Sequence, residues 1–194
     1  NCDLILMTTR GGSKVQRWVM GGVTEQVLRM SPIPVLPVRS QTALPKQGHV
    51  RRVIVPVDGS KLAEAVVPWA RDLSRFLKAR LVFLHVYPMG PAGLSGRNED
   101  NYESLSKRMV RLVESLREVG VKAVFKLQRG DAADRILKFA DRDDLIVTTT
   151  HGFGGFKRWV FGSVAEKLIH EAPIPVLVYK TPAQAKVKAL VEAS

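Results

Sequence analysis

The chain reads as an α/β protein built on an open, five-stranded parallel sheet with helices on both faces. Three observations predict this. Short runs of aliphatic and β-branched residues alternate with longer segments whose apolar residues recur every three or four positions, and the connections are short. The strand-like runs are apolar almost throughout, as strands are when helices cover both faces. The third observation is a repeat: residues 3–38 align without a gap on 144–179, with about seventeen identities. These include Asp3/Asp144, Gly11/Gly152, Arg17/Arg158, Trp18/Trp159, Gly21/Gly162 and the Pro-Ile-Pro triplets at 32 and 173.

No counterpart of residues 50–142 precedes the first copy, and Asn1 already lies in a strand-like run. The expected organisation is therefore a C-terminal piece of one domain (1–40), a linker (41–49), a complete domain (50–180) and a tail (181–194). The linker is polar and carries Pro and Gly.

In the complete domain, Arg52–Val57 is the first strand, with Pro56 marking its C-terminal end because proline cannot donate to a central ladder. Asp58-Gly59-Ser60 turns the chain into a helix over 61–78, with Ser60 as its N-cap and Leu62, Ala65, Val66, Trp69, Leu73 and Phe76 on one face. Leu81–Tyr87 is the second strand. Residues 100–118 form a helix on Leu105, Met109, Leu112, Val113 and Leu116, closed by Gly120. Val121–Gln128 is the third strand and Asp131–Ala140 the third helix. The second copy of the repeat then supplies strand, Gly-rich loop, helix and strand. Of the two strand orders common in such sheets, 3-2-1-4-5 puts the reversal between strands one and four. That order brings Asp58 beside Thr149–Gly152, the two stretches richest in loop chemistry, and is the one expected.

Composition narrows the function. Hydrophobic residues make up 45% of the chain, and no run reaches the 18 or so apolar residues of a membrane span. The formal charge of +12 comes from lysines and arginines scattered among helical carboxylates, with no dense basic run interleaved with aromatics, so neither nucleic acid nor membrane is an expected partner. The single cysteine, Cys2, excludes an internal disulfide and fits a cytoplasmic setting. The four histidines and one cysteine are not at metal-ligand spacing, and no Ser-His-Asp set or carboxylate pair stands out. A dedicated enzyme is not expected.

The chemistry concentrates in the loop after the fourth strand. Gly152, Gly154 and Gly155 leave amides unshielded, and Gly162-Ser163 opens a helix, an arrangement suited to an anion. Ser163 with Glu166 three residues on forms a capping box, so Ser163 either only caps its helix or also meets phosphate. By residue type Asp58 is a turn residue. Val86 is core or an apolar wall, His151 a phosphate contact or a structural residue, and His85 a satisfied strand histidine.

These motifs resemble the universal stress protein family: Val55-Pro-Val-Asp-Gly-Ser60, Leu84-His-Val86, Asp144-Leu-Ile-Val147, His151-Gly152, Gly162-Ser-Val-Ala-Glu-Lys167 and Pro173-Ile-Pro-Val-Leu177. The resemblance covers 50–180 as a full domain and 3–39 as the last third of another. It implies a Rossmann-like module that binds ATP, AMP or ADP, with Mg accompanying ATP, and regulates the stress response with at most slow hydrolysis. The implied contacts are Pro56, Val57, Asp58, Val86, Thr148, Thr149, His151, Gly152, Gly154, Gly162, Ser163 and Val164. The family pattern G-x2-G-x9-G-[S/T] has its first glycine replaced by Thr149, whose side chain narrows the backbone's approach or lends a hydroxyl. In the first copy Thr8 and Gly22 both depart from the pattern, so that copy is expected to be degenerate. The alternative reading is a nucleotide-free protein that acts through partner binding.

Each copy ends on an apolar edge strand, Val35–Val38 and Val176–Tyr179, and exposed edges want partners. The family's last strands pair across a twofold axis. Here they are expected to pair within the chain as a pseudo-dimer, or between chains as a homodimer, with Pro37 removing one ladder donor.

Overall fold

The computed structural model describes residues 2–9, 22–60, 65–88, 96–149 and 161–180, the side chains of 96–101 excepted. The element order is β1 (Ile5–Thr8), α1 (Gly22–Met30), β2 (Val35–Val38), β3 (Arg52–Pro56), α2 (Val67–Phe76), β4 (Arg80–Tyr87), α3 (Gly96–Glu118), β5 (Ala123–Arg129), α4 (Ala132–Phe139), β6 (Asp144–Thr149), α5 (Ser163–Glu171) and β7 (Val176–Tyr179). The strands form one sheet in the order β1-β2-β7-β6-β3-β4-β5. Its last five members are the complete domain in the expected 3-2-1-4-5 order, all parallel. The sheet does not stop at five strands, because the first copy's β1 and β2 extend it to seven.

The extension joins the two copies. β2 runs antiparallel to β7 through the single pair Val35↔Val178, so the last strands meet within one chain. Mapped through the repeat, the symmetric partner of that pair is Pro37 opposite Val176. Proline has no N–H to give there, which accounts for the short ladder.

Two apolar layers sandwich the sheet. One joins Val53, Val55, Leu81, Phe83, Leu145 and Val147 to α2 and α3. The other joins Ile54, Val82, Leu84, Ile146 and Val176 to α1, α4 and α5. Odd and even strand residues thus divide between the faces, as a period of two requires. The predicted face of α3 is correct, with Leu105, Met109, Val113 and Leu116 all buried. The face of α2 is rotated from expectation. Val67, Ala70 and Ser74 are its buried residues, and Phe76 is 83% exposed. Phe76 lies six residues past Ala70, about 240° around the helix, and so turns outward. The helix starts at Val67 after the N-cap Val66, with Pro68 in its first turn, where its missing N–H costs nothing. Residues 61–64 lie outside the described residues, so the expected Ser60 cap does too.

At the N-terminal end of the strands Asp144 is 1% exposed and is held by Arg52 of β3. Arg52 Nε donates to Asp144 Oδ1 at 2.7 Å and a second nitrogen donates to Oδ2. Hydrogen bonding to Asp144 raises the guanidinium pKa further, against the opposing effect of burial. The linker lies against this end of the sheet: Ala43 N–H donates to Pro173 O at 2.7 Å and Lys46 N–H to Asp143 Oδ1 at 2.7 Å.

Candidate functional site: the crevice between β3 and β6

Parallel β3 and β6 are hydrogen-bonded neighbours from Arg52↔Asp144 through Ile54↔Ile146, and their pairing ends there. Both strands continue. β3 stays paired to β4 as far as Pro56↔Leu84, and β6 to β7 as far as Thr149↔Tyr179. The sheet therefore splits at its C-terminal edge between the two strands from which chain direction reverses, the place where open α/β sheets hold ligands.

Nine of the predicted residues lie at or beside this edge. Pro56, Val57 and Asp58 end one side of the split, and Thr148 and Thr149 the other. Val86 lies near the end of neighbouring β4, half-buried beside the α4–α5 layer. Gly162 and Ser163 open α5, which runs back across the sheet to β7. Val164 follows in the first turn, half-buried. His151, Gly152 and Gly154 lie outside the described residues, as does the rest of that loop.

Asp58 is exposed, and its Oδ1 accepts the Ser60 N–H at 2.9 Å, a short Asx-type turn. Gly59 takes φ +85°, which favours glycine, and a Cβ there would sit 3.5 Å from Leu105 of α3. Arg108 of α3 donates to Gly59 O at 3.2 Å, so the turn is tied to a helix.

His85 supplies a second tie. Its Nδ1 lies 2.7 Å from Val57 O. A carbonyl only accepts, so Nδ1 carries the proton, and Nε2 is a buried acceptor without a hydrogen-bond partner. Burial lowers the His85 pKa most, against the Val57 hydrogen bond and the charge of Asp58, which raise it. The ring packs 5.6 Å from that of Tyr102, which packs 5.2 Å from Tyr87. The histidine expected to be satisfied in its strand is satisfied at Nδ1 but not at Nε2, and through Nδ1 it fixes the end of β3 beside Asp58. Leu84-His-Val86 signalled the histidine, while nothing local in the sequence signalled Arg108 or Tyr102.

At the loop flanks one expectation changes, the capping box. Thr149 remains in β6, paired to Tyr179, and is not among the described non-glycine residues with positive φ. The backbone there asks for no glycine, so threonine's effect is confined to its side chain. The capping box is not formed. Gly162 is the N-cap, with φ −65° and ψ 151°, and no side chain caps the helix. The Glu166 N–H donates to Gly162 O at 2.9 Å, so the helix begins one residue before a Ser163 cap would allow. From the first helical position the exposed Ser163 hydroxyl does not serve the second- and third-turn-position amides as a cap would. Among the described residues the α5 N-terminus thus has no side-chain cap, the state that favours an anion.

Among the described residues no group of three or more His, Cys, Asp or Glu is placed to hold a metal, and no helix is long and apolar enough to cross a membrane.

Fold and crevice together define a doubly wound α/β domain whose sheet splits at its reversal point. The chain belongs to the Universal stress protein family, whose sequence model matches residues 1–39 and 49–180. It is 31% identical over 145 residues to a universal stress protein of Methanocaldococcus jannaschii, a match covering 68% of this chain and 83% of that protein. With one from Mycobacterium tuberculosis it shares 24% identity over 182 residues, and the match spans 91% of this chain but only 61% of the relative's length. Among solved structures, a universal stress protein from Archaeoglobus fulgidus DSM 4304 superimposes with a TM-score of 0.71 at 24% identity, over 93% of this chain and 63% of that one. Another from Archaeoglobus fulgidus, solved in complex with dAMP, gives a TM-score of 0.51 at 25% identity, over 67% of this chain and 97% of that one.

Proposed function

We propose that the complete domain binds an adenine nucleotide at the split between β3 and β6 and acts as a regulatory module rather than a dedicated enzyme. One observation carries this reading: the β3–β6 ladder ends at Ile54↔Ile146 while both strands run on with their other neighbours. The rim suits a nucleotide. Asp58 offers a carboxylate for ribose hydroxyls, Val86 an apolar surface, and the uncapped start of α5 with Ser163 donors for phosphate. The relative solved with dAMP supports the adenine class. With ATP, Mg would be held chiefly by the phosphates.

The rival reading is a nucleotide-free module that works through partner contacts, and Thr149 favours it, because a half-buried β-branched side chain ends the strand where the family motif has glycine. Calorimetric titration with AMP, ADP and ATP, with and without Mg, separates the two. The expected result is saturable binding that Asp58→Ala and Ser163→Ala each weaken by about tenfold, the scale of one lost hydrogen bond to a charged partner. Absence of binding by the unaltered chain to all three nucleotides would leave the rival in place.

A further inference from the structure

Cations that are scattered along the sequence are gathered by the fold at one end of the complete domain. That end is the N-terminal edge of β3, β4 and β5, where α2 and α3 also finish, and it lies opposite the crevice. Backbone bonds make its residues neighbours: Arg80 N–H donates to Arg51 O at 2.9 Å and Leu81 N–H to Lys122 O at 2.8 Å. The Arg75 guanidinium donates to Val119 O, which ties the end of α2 to the end of α3. Arg51, Arg75, Lys78, Arg80 and Lys122 are all exposed. Nearby carboxylates are largely engaged, Asp72 by Arg71 and Asp141 by Arg52, while Glu118 stands exposed. Among these charges stand two apolar side chains, Phe76 at 83% exposure in the last turn of α2 and Val119 at 54% just past α3. Lys78 takes φ +52°, a conformation that favours glycine, and the turn after α3 does use glycine, Gly120 at φ +81°. A charge is thus placed at 78 against the preference of the backbone.

We propose that this end of the domain docks on an anionic lipid bilayer, with Phe76 and Val119 entering the interfacial layer and the surrounding cations meeting the headgroups. The cations alone would suit any polyanion. An exposed phenyl and an exposed isopropyl group gain nothing from phosphates in water, and a bilayer interface is the partner that takes both kinds of side chain. Nucleic acid would offer bases to Phe76 but no stacking surface to Val119. Two apolar tips hold a membrane weakly, so the basic ring is what makes the contact stable, as it does for a single lipid chain beside a polybasic patch. The contact is peripheral, and it needs no spanning helix. Because the crevice lies at the other end of the strands, it stays open to solvent while this end is docked. This inference is independent of the nucleotide reading.

The test is sedimentation of the full chain with vesicles of phosphatidylcholine alone and of phosphatidylcholine with about a third phosphatidylserine, at low and high salt. Binding to the anionic vesicles only, weakened by salt, is expected. Phe76→Ser should weaken it about tenfold, the scale of burying one phenyl group. Lys78→Gly should weaken it roughly fivefold, the scale of one cation near an anionic leaflet. Phe76 is exposed and glycine suits the backbone at 78, so neither change threatens the fold, and unchanged urea midpoints verify that. Arg129→Ser removes the same charge from the opposite end of β5 and should alter binding by about twofold at most. Equal binding to both vesicles, or none to either, overturns the proposal. A loss for Arg129→Ser equal to that for Lys78→Gly also overturns it, because net charge would then be the cause. If Phe76→Ser and Lys78→Gly weaken binding to a single-stranded oligonucleotide and leave vesicle binding unchanged, nucleic acid is the partner and the proposal is wrong.

Discussion

The same sequence unit occurs twice in this molecule and is held in two ways. The helices behave alike: Leu28 and Ile169 are both buried, as are Thr24 and Ala165. The strands do not, because β6 has neighbours on both sides and helices on both faces, whereas among the described residues β1 has one neighbour and one covered face. Burial is therefore set by the surroundings of a segment and not by its residues. Asp3 and Asp144 are the same amino acid at the same repeat position, yet one is solvated and the other sits under an arginine.

That contrast gives the largest expected effect. Asp144→Asn removes the acceptor that holds Arg52 and should cost about 2–3 kcal/mol, somewhat below the loss for a fully buried pair because Arg52 remains partly exposed and keeps Asp141 within reach. Asp3→Asn should stay within about 0.5 kcal/mol. Urea unfolding of both variants measures the difference, and equal losses would mean that the copies are not held differently at all.

Strand alternation, the parallel sheet and the strand order that makes β3 and β6 neighbours were legible in the sequence because hydrophobic period and chain reversal are local and topological facts. The pairing of the last strands was legible too, and Pro37 announced its limit. The capping position was not. Ser163 and Glu166 have capping-box spacing, but which residue becomes the cap depends on how buried Phe161 leads the chain into Gly162. Phe76 misled because apolar spacing of three and four fits more than one rotation of a short helix. The bond from His85 to Val57 crosses between strands, and residue type alone does not foretell its partner.

One signal was present and easy to pass over. Arg39 and Lys180 occupy the same repeat position just past the last strands. Arg39 donates to His170 O and Ala172 O at the end of α5, while Lys180 Nζ donates to Arg29 O at the end of α1, 2.9 Å away. Since Arg29 and His170 are also repeat counterparts, the contact is isologous, each copy's cation closing the other's helix. Cations there satisfy orphan carbonyls and complement the helix dipole. The two are not equal in kind, because the planar guanidinium spans two carbonyls in a fixed fork, whereas the ammonium is a compact charge on a flexible stem. Arg39→Ala should cost about 1–2 kcal/mol and speed amide exchange in the last turn of α5, whereas Lys180→Ala should cost about 0.5 kcal/mol or less. The same order should hold in urea, and a larger loss at Lys180 would reverse the ranking of the two clamps.

The smallest effect lies at the crevice, where only the second copy has β4 and its histidine nearby. His85 is neutral in the folded chain: Nδ1–H is committed to Val57 O, and a proton on buried Nε2 would find no acceptor. Its folded pKa is lowered, chiefly by burial, relative to the unfolded chain, where histidine titrates near about 6.5. The sign follows from proton counting. Below that pH the unfolded chain binds a proton that the folded chain refuses, so this contribution is fully present above about pH 6.5 and declines as the pH falls through it. His85→Gln keeps a side-chain donor for Val57 O while removing the titration, and should flatten part of the slope of stability against pH between about 7 and 5. A slope unchanged in that variant would assign the acid sensitivity to other groups and leave His85 a purely packed residue, with the end of β3 fixed by Arg108 and the Asp58 turn instead.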